Sequence, residues 1–234
     1  MMRSKGMIVV CFLLVMSMLK AQEKNHISID PILPIFGTFQ FQYERAISDK
    51  ISVGVSFGVK TTSGVFRISG IDINRISTDD FNFKGVKILP EFRWYIQNTT
   101  KKLSGFYVGV YTKYQNFTDE ILGVYTDNNG IDNAIEIDAK IITLSGGVEI
   151  GYKFMIRKRF FIDFLIAGPG ISANKIKLIE KQPIPESFYD DVSEVLSEYE
   201  LFDNLNLDFR INGNQDTDII LPAFRWGIKL GYSF

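Results

Sequence analysis

From Pro222 to Phe234 every second residue is large and apolar: Pro222, Phe224, Trp226, Ile228, Leu230, Tyr232 and Phe234. The residues between them are Leu221, Ala223, Arg225, Gly227, Lys229, Gly231 and Ser233. A period of two is the mark of a strand, whose successive side chains point to opposite faces; a helix would scatter these residues around its surface. One face is apolar and the other carries full charges among small residues. That is the pattern of a membrane-spanning β-barrel strand, apolar toward lipid and polar toward the interior.

The same alternation recurs along the chain. Ile51, Val53, Val55, Phe57 and Val59 alternate with Ser52, Gly54, Ser56, Gly58 and Lys60. Val86, Ile88, Pro90, Phe92, Trp94 and Ile96 oppose Lys87, Leu89, Glu91, Arg93 and Tyr95. Further runs lie around Phe106 to Tyr114, Ile142 to Phe154 and Phe160 to Ala167. Pattern matching places strands at roughly 37–46, 50–60, 84–96, 104–116, 139–154, 160–172 and 219–234. A single-chain bacterial barrel needs an even number. An eighth strand is available where His26, Ser28 and Asp30 alternate with Ile27 and Ile29, followed by a turn through Pro31, Pro34 and Gly37. Leu89-Pro-Glu-Phe-Arg-Trp94 also echoes Leu221-Pro-Ala-Phe-Arg-Trp226, as if two strands meet the same demand, aromatic outside and arginine inside.

The connections alternate in length. Ser48 to Lys50, Gln97 to Leu103 and Met155 to Arg159 are short, whereas Thr61 to Phe83, Asn116 to Asp138 and Ser172 to Asp218 are long. Short turns on the periplasmic side and long loops outside are expected of this class. Within the last loop Phe188, Val192, Val195, Leu196, Tyr199 and Phe202 recur at helical steps. Glu186 to Asn204 therefore reads as an amphipathic helix opened by Pro185, its apolar face covering its own protein. Its acidic face would leave the 172–218 loop available to a surface partner.

The N-terminus fixes the expected compartment. Arg3 and Lys5 precede an apolar run from Met7 to Met18, and Ala21 suits cleavage before Gln22. Residues 1–21 thus read as a secretory signal peptide, the run being shorter than the ~20 residues a membrane-spanning helix needs. Residues 22–234 form the expected barrel domain. Removing the signal takes away Cys11, the only cysteine, so no disulfide can hold the mature fold. It also takes away three basic residues and moves the formal charge from −1 to −4. That balance argues against a nucleic-acid partner, which calls for a basic stripe.

The inward positions collect Glu44, Lys60, Lys87, Glu91, Arg93, Lys113, Glu149, Lys153, Asp163, Arg225 and Lys229. An eight-stranded barrel has room inside for side chains but little for a channel. Buried charges must also pair. An internal salt-bridge network is therefore the expected use, carried by Glu44, Lys60, Glu91, Arg93, Glu149, Lys153, Asp163, Arg225 and Lys229. Catalysis and metal binding find few candidates. His26 is the only histidine, and Asp127 to Asp132 has part of a calcium-loop pattern without its full spacing. No catalytic residue, metal or cofactor is expected.

Asn25 to Pro31 and Tyr43-Glu44-Arg45-Ala46, with the alternating strand that ends on Phe234, resemble the small OmpA-like and OmpW-like outer-membrane barrels across the whole mature chain. The likeness is to a subgroup without an assigned activity. It implies an all-β, eight-stranded, antiparallel up-and-down transmembrane barrel with long outer loops, one carrying a short helix. It also implies a Gram-negative outer-membrane location, lipid as a partner, and recognition by the barrel-assembly machinery through the last strand and Phe234. The expected function is a structural or surface-interaction role with a closed lumen. The alternatives are a transport barrel for small apolar molecules and a lipid-modifying barrel enzyme.

Overall fold

The computed structural model describes residues 24–61, 64–66, 69–73, 75–96, 103–157, 159–197 and 213–234. The expected signal peptide at 1–21 lies outside these residues, as does the 198–204 part of the expected helix. The elements are β1 (Asn25–Ile29), β2 (Thr38–Ala46), β3 (Ile51–Lys60), β4 (Asp72–Ile73), β5 (Ile76–Thr78), β6 (Lys84–Tyr95), β7 (Gly105–Thr126), β8 (Asp132–Ile156), β9 (Phe160–Glu180), α1 (Glu186–Ser197) and β10 (Asp216–Ser233). All strand pairing is antiparallel. It runs β1–β2–β3–β6–β7–β8–β9–β10 and returns to β1, so eight strands close into a ring.

The closing seam is the register His26–Ser233 to Ile29–Leu230. Beyond it, Asn25 and Phe234 exchange backbone hydrogen bonds of 2.9 and 3.1 Å. The short first strand is therefore real, and the turn that follows it is tight. Asp30 Oδ1 accepts the backbone N–H groups of Ile32 and Leu33, a single 3-10 turn spans Leu33–Phe36, and Gly37 leaves it with φ 73°. A positive φ of that size is cheap only for glycine.

The wall of the ring is uneven. β2 and β3 have 9 and 10 residues, whereas β7, β8 and β9 have 22, 25 and 21. The segment 116–138, expected as a long loop, is instead the upper half of a β7–β8 hairpin that turns at Asp127 to Gly130. β9 likewise runs past 172 to Glu180. These upper halves escaped the sequence reading because the alternation continues there with its polarity reversed. On lower β8, Leu144, Val148, Tyr152 and Phe154 point outward while Ser145, Glu149 and Lys153 are buried. On upper β8, Ile135, Ile137 and Ala139 are buried, and Asp138 and Lys140 are exposed. Upper β9 repeats the change, with Lys175 and Lys177 outside. A search for apolar-outward strands therefore stops where the pattern inverts.

β9 also carries a bulge. Its register against β8 shifts between Ile150 and Gly151, and against β10 between Arg225 and Gly227. One extra residue transfers the buried side from odd positions (Phe161, Asp163, Leu165) to even ones (Gly168, Ser172).

The upper wall is covered on its inner side by α1, as its apolar stripe requires. Phe188, Tyr189 and Val192 pack with Ile76, Tyr125, Ile135, Ile137 and Ile184 into a buried cluster. Asp191 tethers the helix through Arg75 at 2.9 Å and the Tyr125 hydroxyl at 2.8 Å. The Tyr189 hydroxyl donates to Glu180 at 2.9 Å, and burial together with that carboxylate pushes the phenol well above its usual range. β5 pairs with Gly123 to Tyr125 of β7. It is a three-residue strand that alternation alone is too short to reveal.

Candidate functional site

Lower in the ring, alternation turns one charged side chain after another into the same enclosed space. Glu44 comes from β2, Glu91 and Arg93 from β6, Glu149 and Lys153 from β8, Asp163 from β9, and Arg225 and Lys229 from β10. All are buried except Arg225, which is partly so. Four cations thus face four carboxylates in an interior that is almost closed to solvent.

Arg93 is the hub. Its Nε meets Glu149 at 2.9 Å, Nη1 meets Asp163 at 2.6 Å, Nη2 meets Glu91 at 3.2 Å, and Glu44 lies 3.7 Å from Nη1. Arg225 spans Glu91 at 2.7 Å and Glu149 at 3.1 Å, so two carboxylates are shared between two guanidinium groups. Lys229 approaches Glu91 at 3.5 Å, and Lys153 pairs with Glu44. The planar guanidinium fork makes such sharing geometrically feasible, where a lysine would act as a single point charge.

Neutral groups complete the shell. Tyr95 and Ser52 donate to Glu44 at 2.9 and 2.6 Å, Tyr107 donates to Asp163 at 2.8 Å, and Gln42 donates to Glu91. The Arg93 guanidinium lies 4.4 Å from the centre of the Tyr107 ring, and that of Arg225 lies 4.6 Å from Tyr111. Sequence reasoning missed these tyrosines as partners. A usable signal was present: Tyr107 and Tyr111 are cross-strand partners of Gly151 and Gly147. Tyr107 occupies the space that a side chain on Gly151 would need, and the Tyr111 hydroxyl lies 2.9 Å from where a Cβ on Gly147 would stand. His26 is also buried here, its Nδ1 3.4 Å from Lys153 Nζ and its ring 5.0 Å from that of Phe161.

Lys60 needs a correction. It closes β3 at the rim and donates to the Phe36 carbonyl at 2.7 Å, apart from the network. Its parity points inward, but the wall of β3 ends there, so the chain reaches the turn at Leu33–Phe36 instead. Phe234 lies at the seam already described. Among the described residues no three His, Cys, Asp or Glu side chains are placed to hold a metal ion.

A closed antiparallel ring of eight strands, with a charge-balanced network in its lower interior and an apolar belt around its lower exterior, defines the class of this molecule. The chain belongs to the family described as protein of unknown function (DUF3575), which matches residues 7–181. No curated protein and no solved structure matches it.

Proposed function

We propose that this chain is an outer-membrane β-barrel with a structural or surface-interaction role, its lumen plugged by the network around Arg93. The observation that carries this reading is the reversal of polarity along the outer face. Around the lower ring Phe41, Phe57, Trp94, Phe154, Phe224 and Trp226 all stand exposed while eight charged side chains are inside. A water-soluble protein does not expose so continuous an apolar belt. Higher up, charged side chains such as Glu120, Asp138, Lys140, Lys175 and Lys177 enter the outward face beside Leu122, Val124 and Ile179, and the inward side chains Ile135, Ile137 and Tyr125 are apolar or aromatic. A hydrocarbon layer at the lower level and water at the upper one account for both halves.

The likeness of Tyr43-Glu44-Arg45-Ala46 and of the last strand to OmpA-like and OmpW-like barrels supports the same reading. Lipid is then the principal partner, and the strand ending in Phe234 is the handle for assembly machinery. The upper wall with α1 stands outside the membrane as the surface that meets other molecules. The role is non-enzymatic: His26 sits inside the ring rather than on the outer face where a lipid substrate would lie. The chain should fractionate with outer membranes and migrate faster on gels before boiling than after, because a closed ring resists detergent. Recovery as a soluble periplasmic monomer with a single migration position would overturn the proposal.

One observation favours a second reading, passage of small apolar molecules. A cavity of about 620 Å³ lies beneath α1, lined by Ile71, Phe83, Ile121, Ile141, Leu178 and Phe188 among others. That volume is within the range of small-molecule sites. Planar-bilayer recording bears on the plug itself. The intact chain is expected to stay silent, and steady conductance steps of one size would reject a closed lumen.

A further inference from the structure

Just above the balanced network the interior changes character. Lys87 of β6 and Lys113 of β7 both point inward, on neighbouring strands and in adjacent rows of the sheet, since Lys87 is opposite Gln115. Among the described residues no carboxylate lies within ion-pairing distance of either. The charged groups that face Lys87 are Lys113, Asp30, Arg225 and Lys229. Asp30 is the only acid of the four, and its Oδ1 is taken by the Ile32 and Leu33 N–H groups. Arg225 is committed to Glu91 and Glu149. The row containing Lys113 adds two hydroxyls. Ser145 is its cross-strand partner on β8, and Ser56 lies on β3 beside Gly58, the partner of Lys87. Both serines are almost wholly buried, at 2% and 1% exposure, and neither hydroxyl oxygen has a hydrogen-bond partner.

Two largely buried ammonium groups and two idle hydroxyls in adjacent inward rows are costly as they stand. A buried polar group without a partner is destabilising, and like charges side by side add to that. The arrangement is also built rather than incidental. The Lys87 chain lies flat across Gly58, where a Cβ would come within 2.6 Å of the lysine Cε.

We propose that this layer is a binding site for a small tetrahedral oxyanion, phosphate or sulfate, held between the Lys87 and Lys113 ammonium groups. Ser145 donates a hydrogen bond beside Lys113, and Ser56 flanks Lys87. The site requires only the closed ring and not its insertion in a membrane, so its failure and a failure of the membrane assignment are separately detectable. Carboxylates are weaker fits because their planar pair of oxygens cannot use donors from several strands at once, whereas a tetrahedral anion offers oxygens in every direction.

The test uses the full chain folded in a nonionic detergent, titrated with inorganic phosphate at an ionic strength held constant with chloride. Binding is followed by calorimetry and by broadening of the phosphate ³¹P resonance. Saturable binding at millimolar phosphate or below is expected, with sulfate competing. Lys87→Met and Lys113→Met should each weaken it by about tenfold or more, the loss of one charge-assisted hydrogen bond. Ser145→Ala should weaken it less, and Lys60→Met, at the rim, should leave it unchanged. Far-ultraviolet circular dichroism and a cooperative urea transition show that the ring has formed in every variant, whether or not it enters a membrane. Absence of saturable phosphate binding to the folded wild-type chain would overturn the proposal, as would equal binding by wild type and Lys113→Met.

Discussion

Replacing Arg93 by methionine should destabilise the ring more than any other single substitution inside it. Arg93 is the one cation within reach of all four network carboxylates. Its removal leaves Asp163 without its 2.6 Å partner and strips one of two guanidinium contacts from Glu91 and Glu149. Breaking a buried ion pair from one side costs about 3–5 kcal/mol, because the remaining charge is stranded in a medium that solvates it poorly. Arg225→Met should cost less, since both of its carboxylates keep Arg93 and its side chain is 13% exposed to solvent. Arg93→Lys should fall between, as one ammonium cannot span the same set of acceptors. Urea unfolding in detergent, read from tryptophan fluorescence and gel migration, gives the order directly. If Arg225→Met were the more damaging change, Arg93 would not be the hub. Neutralising acids in the Arg93→Met background, with Asp163→Asn and Glu149→Gln, should recover part of the loss.

The second large effect separates a ring in lipid from a ring in water. Val148 and Phe154 both point outward from β8 and are almost equally exposed, at 56% and 53%. They differ in depth. Val148 is paired with Val110 in the middle of the apolar band, while Phe154 is close to the turn that ends β8. Arginine at the midplane of a bilayer costs about 2–4 kcal/mol, falling to about 0–1 near the interface. Val148→Arg should therefore be far more damaging than Phe154→Arg. In a soluble ring both would be ordinary surface changes within about 0.5 kcal/mol of neutral. Equal effects at the two positions would remove the membrane from the account.

Much of this architecture is legible in single residues. Trp94, Phe224 and Trp226 lie outside, and Arg93 and Lys229 inside, because parity in a strand is unambiguous wherever one face is apolar. What could not be read has two causes. The first is that parity gives a side chain's direction but not the height of the wall, so Lys60 was assigned to an interior that β3 no longer encloses. The second is that a pattern search presupposes which face is apolar. Ile135 and Ile137 alternate as regularly as any other residues, but inward, and so read as loop. The bulge in β9 belongs to neither cause. Its one-residue shift arises from how three strands fit together, and Ile166-Ala167-Gly168 looks locally like uninterrupted strand. The network's carboxylates and cations were visible one by one, but their sharing through Tyr107, Tyr111 and Gln42 depends on strands that only the closed ring brings together.

The seam between β1 and β10 has a kinetic meaning. Every other junction in the ring joins strands that are neighbours along the ring-forming sequence, so each can form as a hairpin soon after its two arms exist. β1 and β10 are the most distant of all, and only Asn25 to Ile29 joins the C-terminal strand, whereas β2 pairs with β3 along its whole length. Loop-closure entropy makes such a junction the slowest to form, and its shortness makes it the first to part. Until it zips, the half-assembled chain is an open sheet with two raw edges and Arg93, Glu91 and Lys229 uncovered. Folding of this ring is therefore gated by its shortest strand: the charges at its centre become dry only in the last step.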